Sequence, residues 1–322
     1  MAPQQPGHAQ PIGARRRRDL EVGMNSIITD APLEITDFSK TYGTKIAVAG
    51  LDLTVEKGEV FGFLGPNGAG KSTTIKSILN FLTPSGGKIR IFGLDSVKSS
   101  VAIKNHIGYL AGDISLYDSM SGYQLFKYLT GLGKHTNWDY VNDLGNRLQV
   151  SLQAKIGTLS KGNKQKIGLI QAFMHQPKLL ILDEPTSGLD PLMKQIFYEM
   201  VLEMKRLGNS IFVSSHDLNE VQHICDKAAF IKSGRLIATE SIRENFEFSL
   251  RRYTVTFSKS PNITDFEKID SVSEITQDEN KLTLTVKGDV SEFIRKLSNH
   301  DPIDLSEEET SLEDIFMKYY ED

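Results

Sequence analysis

The sequence predicts an α/β fold followed by a smaller α+β unit, and three observations carry that expectation. Across residues 33–239, short β-rich apolar runs alternate with amphipathic stretches, the rhythm of a parallel or mixed sheet flanked by helices. Residues 60–64, 179–182 and 211–213 are continuously apolar rather than alternating, as strands buried on both faces are. After about Phe246 the texture changes. Tyr253, Val255 and Phe257, then Leu282, Leu284 and Val286, occupy every second position, the pattern of half-buried antiparallel strands.

Three segments follow: an extension over residues 1–30, the α/β unit over 31–245 and the α+β unit over 246–322. The first is rich in Pro, Gln, Gly and Arg without periodicity. Met24 reads as a natural start, and the residues before it as a disordered extension or a cloning remnant. In the second, one helix is written plainly. Asp190 caps it, Pro191 fits its first position, Met193, Ile196, Phe197, Met200, Met204 and Leu207 line one face, and Gly208 ends it. In the third, Val290, Phe293, Ile294 and Leu297 have helical spacing, and Ser311 with Asp314 has the spacing of a capping box before a final helix.

Composition narrows the function. Of 322 residues, 39% are hydrophobic and 24% charged, enough apolar material for a folded core. No apolar run approaches the roughly 18 residues of a membrane span, and Arg15–Arg18 are not followed by the apolar stretch of a secretory signal. The single cysteine, Cys225, permits no internal disulfide, suits a reducing cytoplasm and reads as a small buried hydrophobe. The net charge of −4 gives no reason to expect a nucleic-acid partner; residues 301–322 alone hold nine acids and one lysine.

Two constellations carry chemistry. Gly65, Pro66, Asn67, Gly68, Ala69, Gly70, Lys71, Ser72 and Thr73 form the phosphate-loop pattern G-x-x-x-x-G-K-[ST], after one apolar run and before a helix bearing Ile75, Ile78 and Leu79. Its glycines let backbone N–H groups turn toward phosphates, Lys71 neutralises the outer ones, and the Ser72 hydroxyl suits Mg²⁺. The second is KLLILDEPTSGLDP, residues 178–191, where an apolar strand ends in Asp183 and Glu184 at the carboxyl edge of a parallel sheet. Asp183 would hold Mg²⁺ through its waters and Glu184 would polarise the attacking water. Together they indicate nucleoside triphosphate hydrolysis.

With these motifs in order, residues 33–240 resemble the ATP-binding subunits of ABC transporters, in particular the exporter-type drug and polysaccharide efflux branch. The resemblance implies a P-loop NTPase of ABC type with an antiparallel β subdomain and a helical subdomain, plus the small C-terminal α+β domain. It implies ATP and Mg²⁺ as cofactors and ATPase activity coupled to transport. TLSKGNKQK, residues 158–166, resembles the family signature, with Ser160, Lys161, Gly162 and Asn163 contacting the γ-phosphate held by another subunit; ordinary helix capping by Ser160 is the competing reading. His216 resembles the switch histidine at the γ-phosphate, against a structural hydrogen-bonding role. Asp190 resembles the acid linking two ATP sites and is compatible with an N-cap. Tyr42 stands where the family stacks a ring on adenine, or is a strand-end tyrosine. Where the family places a glutamine, near Gly112, this chain has none, and Asp113 is the nearby group able to bind a cation, or a solvated turn acid.

By the same resemblance, the partners are a second copy of the chain, or a homologous ATPase, and a separate transmembrane permease, which places the chain at the cytoplasmic face of the cell membrane. The stretch from Ser115 to Lys155 would meet the permease, with Leu116, Tyr117 and Tyr123 either exposed contacts or core. Two alternatives compete: a soluble ABC ATPase acting on ribosomes or DNA, and a non-hydrolysing regulatory binder. One phosphate loop without sustained heptads argues against the first; Lys71, Asp183, Glu184 and His216 argue against the second.

Overall fold

The computed structural model describes residues 31–132, 136–242 and 250–309. The chain opens with β1 (Leu33–Tyr42) and β2 (Lys45–Val55), which join β4 (Gly86–Ile91) and β5 (Leu94–Asp95) in an antiparallel sheet of order β2-β1-β4-β5. The central sheet holds β3 (Val60–Leu64), β6 (Ile107–Leu110), β7 (Leu179–Asp183), β8 (Ser210–Ser215), β9 (Lys227–Lys232) and β10 (Arg235–Ser241), in the order β10-β9-β3-β8-β7-β6. Every pair runs parallel except β10 on β9, so the sheet is mixed.

The apolar runs are continuous because this sheet is covered on both faces. Phe61, Phe63, Leu179, Ile181 and Phe212 enter one core, shared with Phe38 and Val55 of the antiparallel sheet and with Ile75 and Ile78 of α1 (Lys71–Ile78). The alternate residues Val60, Leu64, Leu180, Leu182, Ile211 and Val213 enter a second core on the opposite face. Short α2 (Ser100–Lys104) precedes β6. The second core is closed by α3 (Gly122–Thr130), α4 (Trp138–Arg147), α5 (Lys161–Phe173), α6 (Pro191–Arg206) and α7 (Leu218–Ile224), through Phe126, Val141, Ile167, Phe197 and Val221. Helix α3 starts at a capping box of Ser121 and Gln124, and α4 at Asn137, whose side chain accepts from Asp139 and Tyr140 N–H.

The C-terminal unit is an antiparallel sheet of order β12-β13-β11-β14, from β11 (Leu250–Phe257), β12 (Val272–Asp278), β13 (Lys281–Lys287) and β14 (Pro302–Glu309). Tyr253, Val255, Phe257, Leu282, Leu284 and Val286 all face a third core, packed against Phe266 of α8 (Thr264–Glu267) and Phe293 and Leu297 of α9 (Ser291–Leu297).

Several side chains depart from their expected places. Asp190 caps α6 by accepting from Met193 N–H at 3.0 Å with Pro191 in the first turn, but Leu207 is the C-cap and 65% exposed, while Tyr198 and Val201 take the buried positions. Ile294 is 41% exposed because α9 has seven residues and seats only Phe293 and Leu297. Tyr117 and Tyr123 are exposed, Tyr123 with its ring 5.0 Å from that of Trp138 and tilted by 40°, whereas Leu116 packs on the second core. Cys225 is buried, and burial pushes its thiol well above the ordinary range. The final helix expected from Ser311 and the arginines at 15–18 lie outside the described residues.

Candidate functional site

The site grows from the ends of β3, β7 and β8, which lie side by side in the central sheet and run in the same direction. β3 passes directly into the loop 65–70 and then α1. At Gly65 a Cβ would stand 2.3 Å from the carbonyl oxygen of Ile231 on β9, so the loop lies against the sheet only without a side chain. Gly70 has φ 113°, a left-handed conformation that glycine tolerates, and no side chain caps α1. The first N–H groups of α1 are therefore left for a ligand, in the field of the helix dipole.

A cavity of about 550 Å³ opens there. Pro66, Asn67, Gly68, Gly70, Lys71, Ser72 and Thr73 line one side, with Tyr42 and Ile46 from the antiparallel sheet and Glu184 on the others. Tyr42 ends β1 and is 46% exposed, with Lys40 Nζ 5.3 Å from its ring centroid. Ala69 is buried in the first core instead of lining the cavity. Sequence reasoning missed Lys45, Ile46 and Ser233, which close the rim from two hairpin ends and belong to no motif.

Lys71 is 5% exposed; its Nζ donates to the carbonyl oxygens of Gly65 at 2.6 Å and Pro66 at 3.3 Å, and lies 3.1 Å from Glu184 Oε1. Glu184 follows β7 in a left-handed conformation, φ 49°, which turns its side chain out of the strand direction. Its N–H donates to Ser214 Oγ at 3.2 Å, and its Oε2 lies 2.5 Å from Nδ1 of His216, directly after β8. Lys71, Glu184 and His216, far apart in sequence, form one chain of contacts.

Asp183, the last residue of β7, is 3% exposed and accepts from Ser214 Oγ at 2.6 Å through Oδ1. A Cβ on Gly112 would lie 3.2 Å from Asp183 Oδ2, so that oxygen faces space a larger residue would fill. Asp113, one residue on, is exposed. Burial and the Asp183 charge push the Tyr109 hydroxyl up to about 12. Among the described residues no three His, Cys, Asp or Glu converge on a metal position.

The signature segment sits elsewhere. Ser160 caps α5, accepting from Asn163 N–H at 3.3 Å. A Cβ on Gly162 would lie 2.8 Å from the carbonyl oxygen of Gly188, so this helix start is held against the loop before α6. None of Ser160, Lys161, Gly162 and Asn163 lines the cavity of Lys71 and Glu184.

Four buried side chains escaped sequence reasoning. Gln165 Nε2 donates to the carbonyl oxygen of Pro185 at 2.8 Å. Ser215 and Thr186 donate to Oε2 of Glu220, at 2.6 and 3.2 Å. Burial pushes the Glu220 carboxyl up to about 7, against the lowering effect of those two hydroxyls; Asp217 and Glu184 add to the rise. The spacing of Asp217 and Glu220 resembles a capping box, the one local signal available.

Known proteins match this arrangement. The ABC transporter family matches residues 48–187, and the family described as ATP-binding protein DrrA1-3-like, C-terminal domain, matches residues 239–320. The ABC transporter ATP-binding protein NatA of Bacillus subtilis is 38% identical over 226 residues, covering 66% of this chain and 92% of that protein. The bacitracin transport ATP-binding protein BcrA of Bacillus licheniformis is 34% identical over 212 residues, covering 64% and 68%. The structure of cbiO1 from Clostridium perfringens, part of the ABC transporter complex cbiONQ, is 30% identical with a TM-score of 0.56, covering 67% of this chain and 91% of that one. These relatives lend nothing to a soluble ATPase on ribosomes or DNA. The chain belongs to the ABC transporter family, as one of its ATP-binding, ATP-hydrolysing subunits.

Proposed function

We propose that this chain powers export through a separate membrane permease, by ATP-driven closure of two copies head to tail, each completing the other's ATP site. The observation that carries the reading is the division of the site. Lys71, Glu184 and His216 share one contact chain, whereas Ser160 and Gly162 stand outside that cavity and need a second chain to meet its γ-phosphate.

In this reading the triphosphate lies along residues 65–73, with its outer phosphates on Lys71 and the α1 N-terminus, and adenine on Tyr42. A γ-phosphate competes with Glu184 for Lys71. Glu184, released from Lys71, orients water for in-line attack, and His216 contacts the γ-phosphate. Asp190 lies in the loop joining the two sites while capping α6. Magnesium fits the residues present: Ser72 lines the cavity, and Asp183 keeps Oδ2 toward the space beside Gly112 while Ser214 fixes Oδ1. When bound, the ion would neutralise charge on the β- and γ-phosphates. Asp113 would reach it through water.

Export is inferred from the bacitracin transport relative, and the chain would sit at the cytoplasmic face of the membrane through its permease; among the described residues no helix is long and apolar enough to cross a bilayer. The permease would seat a cytoplasmic segment in an apolar groove of about 340 Å³ between α1 and the helical subdomain, where Phe81, Leu129, Leu132 and Met174 present their side chains. Leu116, Tyr117 and Tyr123 do not line it. The boundary at residues 245–246 would separate this engine from a C-terminal unit that regulates or dimerises it.

The sole cysteine is buried, so Phe81→Cys carries one reactive surface thiol. Crosslinked in membranes, that variant is expected to join a multi-span membrane protein; recovery only with ribosomal or DNA-bound chains would overturn the reading.

A further inference from the structure

The residues that act on the γ-phosphate leave two different strands, Glu184 after β7 and His216 after β8, yet their side chains meet at 2.5 Å. We propose that Glu220 is a positioning residue for ATP hydrolysis, its carboxylate tying the turn after Glu184 to the end of β8 just before His216. This inference rests on the roles given above to Glu184 and His216.

The geometry is specific. Thr186 lies two residues after Glu184, and Ser215 immediately precedes His216. Both donate their hydroxyls to the same oxygen, Glu220 Oε2, at 3.2 and 2.6 Å. Ser215 Oγ in turn accepts from Asp217 N–H at 3.0 Å, which fixes the chain on the far side of His216. All three residues are buried: Glu220 is 1% exposed, Ser215 1% and Thr186 7%. Glu220 Oε1 is buried without a hydrogen-bond partner. The turn after Glu184 is also held by Gln165 of α5, which donates to the carbonyl oxygen of Pro185 at 2.8 Å. Glu220 supplies a second hold, and through Ser215 it also grips the end of β8, beside the contacts that Glu184 N–H and Asp183 make with Ser214.

The ionisable groups bearing on Glu220 are Asp217 on its own turn, Glu184 after β7, Tyr198 on α6 and Cys225 after α7. None is a cation, and among the described residues Glu220 makes no ion pair. What it offers is one acceptor oxygen between two hydroxyls, a role a glutamine amide oxygen performs equally well and a methionine cannot.

The experiment measures Mg-ATPase kcat, KM and the pH profile of kcat on the full chain carrying Glu220→Gln, Glu220→Met, Thr186→Val, Ser215→Ala or Glu184→Gln. Glu220→Met should lower kcat by about tenfold or more with KM within about twofold, since a misplaced catalytic pair costs turnover rather than binding. Glu220→Gln should keep kcat within about threefold and flatten any step of the profile that belongs to Glu220. Ser215→Ala added to Glu220→Met should lower kcat no further. Unchanged kcat in Glu220→Met, a parallel loss in Glu220→Gln, or a change in KM alone would overturn the proposal. If Glu220→Met does not fold, unchanged kcat in both Thr186→Val and Ser215→Ala overturns it instead. Glu184→Gln separates the two layers: activity surviving that change refutes the role of Glu184, whereas its loss beside a normal Glu220→Met refutes only the inference about Glu220.

Discussion

Glu184 Oε1 lies 3.1 Å from Lys71 Nζ, so the residue read as the water-orienting base pairs with the lysine read as the phosphate-binding one. In the proposed reading a γ-phosphate competes with Glu184, and with the carbonyls of Gly65 and Pro66, for the three donors of this ammonium group. Lys71→Ala is expected to weaken ATP binding by tenfold or more, about 1.4 kcal/mol, because a charge-assisted contact to phosphate is lost. Glu184→Gln should bind ATP at least as tightly as the native chain, since the competing charge is gone, while turnover falls to background. Equilibrium binding and phosphate release on the two variants check both.

Ser160 carries two readings that one substitution separates. Its hydroxyl caps α5 at 3.3 Å, and the same hydroxyl is proposed to meet a γ-phosphate across the dimer. Ser160→Asp keeps an N-cap acceptor and should leave the melting temperature near native, whereas Ser160→Ala should cost about 1 kcal/mol. Only the aspartate adds a negative charge facing the phosphate, so ATP-driven association should disappear in Ser160→Asp despite normal folding. Thermal melts with light scattering measure both quantities.

The pH dependence of stability should betray Glu220. Its carboxyl is raised from 4.5 to about 7 by burial, so the folded chain holds that proton more tightly than the unfolded chain does. The stabilisation is complete below 4.5 and is lost as pH rises through about 7. Glu220→Gln removes that dependence. The unfolding free energy of the variant, relative to native, should therefore climb between pH 4.5 and 7; denaturant titrations across that window test it.

Magnesium demand should follow the order of burial. Asp183 is 3% exposed and fixed by Ser214, so Asp183→Asn should raise the half-saturating Mg²⁺ by tenfold or more, and Ser214→Ala by a smaller factor. Asp113 is exposed and would act through water, so Asp113→Asn should shift it by only a few fold. Mg²⁺ titrations of ATPase rate give all three.

The loop 65–73 was legible from its own spacing, Asp183 and Glu184 from an apolar run ending in two acids in a chain that carries such a loop, and His216 through the resemblance alone. The two-faced burial of the central strands was legible too, because Phe61, Leu180 and Ile211 sit in runs without polar interruption. What escaped was convergence. Glu220 reads locally as part of a helix start, and only the packing of α7 against the turn after β7 and the end of β8 brings Thr186 and Ser215 to it. Ile46 and Ser233 reach the cavity from hairpins with no phosphate chemistry of their own. Leu207 and Ile294 fit a helical period but fall where the helix ends or is too short for its partner, which periodicity does not encode.

In the proposed reading two chains complete each ATP site, and the mass of Glu184→Gln in solution is the direct test. With ATP and Mg²⁺, light scattering should report about twice the mass of one chain, falling back to one chain in ADP or on adding Ser160→Asp. A mass of one chain at saturating ATP, or a doubled mass indifferent to nucleotide and to Ser160, would contradict it.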